Sequence, residues 1–235
     1  MTDELSAFLA ARPATAQRPL LGVTVLVVED SRFASEAMRL LCLRSGARIR
    51  RADCLRSAHR HLTTYRPGVV IVDLGLPDGS GADLIREIKA MSAPVPAVLG
   101  ISGDPEVEAE AMAAGADGFL SKPVESLAVF QQAVLAVLPA EMHAFGPHAL
   151  PDERIAPDPI ALRDDLSHIA EVLSSGCERP DFGYVSQFLA GVARSAHDPA
   201  LEDAAVALGA AEPSAAAISR LNGLVQERLA AGSGF

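Results

Sequence analysis

The chain has 235 residues, 49% of them hydrophobic, and a formal charge of −10. That length suits one large domain or two of ordinary size, each with a packed core. The negative charge argues against a protein that coats nucleic acid by electrostatics alone, and 4% aromatics without tryptophan leave few platforms for stacking bases.

The three cysteines, Cys42, Cys54 and Cys177, are far apart and form no Cys-x-x-Cys pair, so they read as small hydrophobes in a reducing compartment. No apolar run approaches the roughly 20 residues that a membrane span needs. Residues 1–19 form an N-terminal extension that starts acidic at Asp3 and Glu4, without the basic-then-apolar order of a secretory signal. Within it Leu5, Phe8 and Leu9 line a short predicted helix that ends before Pro13. A cytoplasmic location without membrane association is expected.

From Leu20 onward, short apolar runs alternate with helical patterns. Val23 to Val28 is an almost continuous apolar run, as for a strand buried on both faces, and it ends in Glu29-Asp30. A helix follows over 31–44 with apolar residues at Phe33, Ala37, Leu40 and Leu41, stopping before Gly46. Residues 48–51 read as a short strand and 55–65 as a helix closed by Pro67-Gly68. The next strand, 69–72, delivers Asp73 at its C-terminal end, before a Gly/Pro-rich turn over 74–81 and a helix over 82–89. A strand over 97–101, a helix over 106–114, a short strand over 118–120 and a helix over 125–138 complete the series. Five strand–helix units imply a doubly wound parallel sheet, because parallel neighbours need crossovers. In such folds the ligand site lies beyond the carboxyl ends of the strands.

Residues 141–159 read as a Pro-rich linker; from Pro139 to Pro159 there are five prolines. Residues 160–235 carry only helical patterns, about four of them: 160–175, 181–196, 199–210 and 214–230.

The polar residues at the strand ends, in order, are Glu29 and Asp30, Asp73, Ser102 and Lys122. Three converging carboxylates repel one another and are tolerable with a cation among them; an all-oxygen set suits Mg2+. The inventory fits phosphoryl transfer to a carboxylate, which needs a nucleophile in line, a metal to neutralise oxygens and donors for the rest. Asp73 is the natural nucleophile, Glu29 and Asp30 the metal holders, and Ser102 and Lys122 the phosphoryl grips. The Gly79-Ser80-Gly81 turn lacks the Gly-Lys-Ser/Thr ending of a phosphate-cradling loop and reads as a helix entry. The arginines clustered from Arg39 to Arg60 read as a solvated face or a partner-binding patch.

The segments VLVVED (25–30), VVIVDLGLPDGSG (69–81), LGISG (99–103) and GFLSKP (118–123) resemble the receiver domain of bacterial two-component response regulators over about residues 22–140. The resemblance implies a flavodoxin-like sheet of strand order 2-1-3-4-5, spanning a domain at 20–140, followed by a smaller all-α domain. It implies that Asp73 is the phosphoacceptor and that Glu29, Asp30, Asp73 and the Gly75 carbonyl hold the metal. Ser102 becomes the switch hydroxyl, Phe119 the switch aromatic, and Lys122 the lysine before a cis Pro123. The phosphoryl source implied is a histidine kinase or phosphotransfer protein. On this reading the chain is a signalling switch and not an enzyme with a separate substrate.

For the output, residues 141–235 hold six arginines, no lysine and fourteen acids, a sum of −8 that is wrong for phosphate contacts. The expectation is a helical module at 160–235 for homodimerisation or for a downstream protein. The apolar stripe Ile218, Leu221, Leu224, Val225 and Leu229 packs on another helix, either a partner's or one of its own bundle. The alternatives are a DNA-binding transcriptional regulator and a phosphorelay intermediate, for which His168 and His197 are the candidate carriers.

Overall fold

The computed structural model describes residues 14–142, 151–174, 181–209 and 214–231. The short helix read at Leu5 to Leu9 and the cysteine at 177 lie outside them.

Five parallel strands form one sheet: β1 (Thr24–Val28), β2 (Arg48–Ala52), β3 (Val69–Asp73), β4 (Ala97–Ser102) and β5 (Gly118–Ser121). Their spatial order is β2-β1-β3-β4-β5, the doubly wound arrangement expected from the alternating pattern. Every residue of β3 and β4 is buried, in keeping with their continuous apolar runs. Edge strand β2 keeps Arg48, Arg50 and Arg51 exposed, and charged side chains on an edge discourage pairing with a second chain. Arg39 pairs with Glu36 and Arg44 with Glu153, so the arginine cluster is largely a solvated face.

The crossover helices are α1 (Arg32–Arg44), α2 (Leu55–Thr64), α3 (Gly81–Ala90), α4 (Glu108–Ala113) and α5 (Leu127–Val137). One apolar layer contains Val25, Leu41, Ile71 and Phe130; the other contains Leu26, Val70, Ile85 and Val98. Side-chain caps set several helix starts. Ser31, Ser80 and Ser126 accept from Ala34, Ala82 and Val129 backbone N–H groups, respectively. The fourth helix differs from the pattern read over 106–114: its first turn, Pro105–Val107, is a 3-10 helix entered from Asp104.

Part of the Pro-rich connector is pinned to the sheet domain. Leu127 N donates to Glu153 O and Ile155 N to Glu125 O, and Ile155 is buried in the first apolar layer. Four further helices follow: α6 (Pro159–Ser174), α7 (Phe182–Ser195), α8 (Pro199–Leu208) and α9 (Ala215–Ala231). They enclose a third core around Leu166, Ile169, Leu189, Leu201 and Val225. Leu221 and Val225 are buried in that core, with Ile218, Leu224 and Leu229 packed against it. The stripe on α9 therefore closes its own bundle.

Candidate functional site

The chain turns at the carboxyl ends of β1, β3, β4 and β5 bring Glu29, Asp30, Asp73, Ser102 and Lys122 into the lining of one cavity of about 310 Å³. Carboxylate oxygens of Glu29, Asp30 and Asp73 lie within 4.8 Å of one another. Lys122 Nζ sits 2.8 Å from Asp73 Oδ2 and 2.6 Å from Glu29 Oε2. The Lys122 backbone N–H donates to Ser102 O at 2.8 Å, and the Lys122–Pro123 bond is cis. Asp73 Oδ1 accepts from the Gly75 N–H at 3.3 Å, and Glu29 Oε1 accepts from the Ser31 N–H at 3.2 Å.

Close backbone packing steadies the Asp73 end of β3. A Cβ on Gly81 would fall 2.8 Å from the Asp73 carbonyl carbon and overlap its oxygen. Only glycine permits α3 to start against the strand it follows.

Three carboxylates face one ammonium, and the excess charge shows in the proton affinities. Burial foremost pushes the Glu29 carboxyl well above its ordinary range, although Lys122 opposes it. Burial, then the Asp73 charge, pushes Asp30 up to about 6. Burial alone would lower the Lys122 ammonium, but Asp73 and Glu29 outweigh it and keep the group charged. Glu29 Oε2 has no well-aligned hydrogen bond despite its nearness to Lys122. An under-satisfied, all-oxygen acidic cluster is the donor chemistry a hard divalent cation takes, with Glu29, Asp30, Asp73 and the Gly75 carbonyl as possible ligands.

Ser102 is buried, and its Oγ accepts from Asp104 N at 3.1 Å. Phe119 lies apart from the cluster: it is half-buried against the second apolar layer, close to Gly100.

The helical bundle also reaches this end of the sheet, notably through Asp165, Tyr184, Gln187 and Arg194. Asp165 on α6 accepts from Ser31 Oγ at 2.8 Å, Arg32 N at 2.9 Å and Phe33 N at 3.0 Å. It thus binds the N-terminus of α1, immediately after the Glu29-Asp30 pair. Tyr184 on α7 donates to Asp30 Oδ2 at 2.8 Å, and Gln187 and Arg194 line the cavity. Nothing in the local sequence marks these four, because their role comes from how the bundle docks. Neither histidine weighed for phosphorelay lines this cavity, although the groove beside it that holds His168 is also lined by Glu29, Asp30 and Tyr184. His168 is exposed along a neighbouring groove, and His197 Nε2 contacts Glu125 Oε1 at 2.5 Å.

Comparison with known proteins agrees on the sheet domain. Residues 25–134 match the response regulator receiver domain. The chain is 36% identical over 99 residues to the KDP operon transcriptional regulatory protein KdpE of Escherichia coli (strain K12), covering 42% of this chain and 44% of that protein. It is 32% identical over 114 residues to the virulence transcriptional regulatory protein PhoP of Salmonella typhimurium, covering 47% and 51%. A solved putative response regulator from Chloroflexus aurantiacus aligns at 27% identity over 48% of this chain and 98% of that one, with a TM-score of 0.45. The match thus spans about half the length of these curated relatives.

Proposed function

Residues 25–134 being a response regulator receiver domain, we propose that the chain is a phosphorylation-controlled switch whose phosphoacceptor is Asp73. The observation that carries this is the convergence of Asp73, Glu29, Asp30, Ser102 and Lys122 on one cavity from four separate strand ends. In this reading a histidine kinase or phosphotransfer protein presents its phosphoryl group at the cavity. An Asp73 carboxylate oxygen attacks phosphorus, the bond to the donor breaks, and its electron pair leaves with the donor. Lys122 and Ser102 donate to the phosphoryl oxygens, and their buried positions make those bonds stronger than in water. Glu29, Asp30, Asp73 and the Gly75 carbonyl would hold Mg2+, which supplies charge neutralisation to the transferring group.

Residues 20–140 form the switch domain and 160–235 the output. Ser102 moving toward the phosphoryl group would make room for Phe119 to turn inward, a population shift driven by local charge. Because α6 and α7 are bonded to the phosphorylation end of the sheet, new charge there acts directly on their docking. The surface so altered faces a downstream protein or a second copy. The relatives' names include transcriptional regulation, which offers DNA binding as a second output. The six bases against fourteen acids of residues 141–235 weigh against it.

The deciding experiment is labelling by acetyl phosphate with Mg2+. Wild-type protein takes up one acid-stable, base-labile phosphoryl group and Asp73→Asn takes up none; full labelling of the variant overturns the assignment.

A further inference from the structure

The cavity over Asp73 has the sheet end on one side and α7 on the other, and two α7 side chains reach across it. Gln187 lies with its amide against Gly75: a Cβ on Gly75 would fall 2.7 Å from Gln187 Cδ and 3.1 Å from Oε1. Arg194 lies against Gly103, the residue after Ser102, where a Cβ would fall 3.3 Å from its Cζ and overlap Nη1. Positions 187, 191 and 194 share one helical face. Gly191 between them has no side chain, and a Cβ there would meet nothing within 4 Å, so the middle of this face is open space.

Neither polar group serves the bundle's core. Gln187 is exposed, and Arg194 is braced by Glu202, which accepts from Nε at 2.9 Å and Nη2 at 2.6 Å. The brace leaves Nη1 as the nitrogen beside Gly103.

We propose that Gln187 and Arg194 make α7 a built-in hydrolysing element for the aspartyl phosphate, with Gln187 orienting the attacking water and Arg194 meeting the charge on the phosphoryl oxygens. The proposal rests on the reading of Asp73 as phosphoacceptor.

An amide that orients water, with an arginine that stabilises the transferring group, is a recurrent division of labour in phosphoryl hydrolysis. Asp73 and α7 line the same cavity, with the Gln187 amide against Gly75, two residues beyond Asp73. For hydrolysis, a water held by the amide must reach phosphorus opposite the bond to be broken. Gln187 Oε1 accepts one water proton and leaves the oxygen lone pair free toward phosphorus. The amide is not a base at neutral pH, so it orients the water without deprotonating it. The water oxygen bonds to phosphorus while the P–O bond to Asp73 breaks, and that electron pair restores the carboxylate. Both water protons leave with the product as dihydrogen phosphate, which then equilibrates with solvent.

A cavity of about 310 Å³ admits a phosphoryl group and several waters with α7 still docked, since a water occupies roughly 30 Å³. Onward relay from Asp73 would need a nucleophile on this face. Position 187 offers an amide, and the Ser186 hydroxyl, also at the cavity, donates to Ala205 O at 2.7 Å.

The test uses the full chain in a pulse with labelled acetyl phosphate and Mg2+, followed by donor removal, with formation and decay of the label timed separately. Gln187→Ala is expected to lengthen the half-life of the label at least about tenfold, and Arg194→Ala to lengthen it as well. Gln187 is exposed on a helix, where alanine is the best helix former, so its variant keeps the fold. Decay of Gln187→Ala within twofold of wild type overturns the proposal, and so does an effect confined to formation, which would make α7 a steric cover. Absence of label on the wild type overturns the phosphoacceptor reading and this proposal with it. Label with unaltered decay overturns this proposal alone.

Discussion

The Tyr184 hydroxyl donates to Asp30 Oδ2 across 2.8 Å, so the helical bundle is hydrogen-bonded to a carboxylate of the acidic cluster. Burial and the Asp30 charge both push the Tyr184 phenol well above its ordinary value, which keeps it a donor. A cation bound by Asp30 competes for the same carboxylate. Tyr184→Phe is therefore expected to tighten Mg2+ binding, by up to about 10- to 150-fold, since a hydrogen bond to a charged group contributes about 1.5–3 kcal/mol and each 1.4 kcal/mol is tenfold. The chain has two tyrosines and no tryptophan, so in a Tyr65→Phe background the emission reports Tyr184. A Mg2+ titration should change that emission and Asp30→Asn should abolish the change; a signal indifferent to Asp30 refutes the competition.

Asp165 ties α6 to the start of α1. It is 3% exposed and accepts three hydrogen bonds there. Asp165→Ala leaves those donors without their acceptor, a loss of about 1–3 kcal/mol. The expected readout is faster hydrogen exchange at the Arg32 and Phe33 amides with the β3 amides unchanged. Exchange equal to wild type at both amides would show that the docking contact is absent in solution.

Gly81 and Gly223 make opposite predictions for the same substitution. Gly81→Ala drives a Cβ into the Asp73 carbonyl, so the strand end or α3 must shift. We expect a loss of at least about 1–3 kcal/mol and weaker Asp73 labelling. In α9 a Cβ on Gly223 meets nothing within 4 Å, so Gly223→Ala should stabilise by up to about 1 kcal/mol. Thermal melts of the two variants give the signs directly.

Asp198 caps α8, accepting from Leu201 N at 3.1 Å, and accepts from Arg228 Nε at 2.7 Å. The Arg228 hydrogen bond foremost holds its carboxyl below the usual range. A depressed carboxyl contributes stability above its unfolded pKa, near 3.9, and loses it as pH falls through the lower folded value. Asp198→Ala should cost about 1 kcal/mol at pH 7, and the gap to wild type should begin to narrow as pH falls below about 4. Urea unfolding at pH 7 and pH 3 checks it; a gap independent of pH would rule out the charged contribution.

The sheet was legible because its signals are local. Continuous apolar runs such as 69–72 can be strands buried on both faces, and the glycines and prolines between runs mark the turns. The acidic cluster was legible for the same reason, since strand ends of a doubly wound sheet meet at one edge. The helix read over 106–114 starts late because Asp104 and Pro105 favour a tight first turn, a choice settled by a few local bonds.

By itself, then, the sequence determined the strand order's class, the positions of Asp73, Glu29, Asp30, Ser102 and Lys122 at strand ends, and the helical character of the described residues beyond the connector. Tertiary structure alone decided that the α9 stripe closes its own bundle and that α6 and α7 lie over the acidic cluster. Asp165, Tyr184, Gln187 and Arg194 carry no local signature, because an isolated polar residue on a helix reads as a solvated face. Only the docking of one folded surface on another, set by shape and hydrogen bonds between residues up to 154 positions apart, brings them to the site.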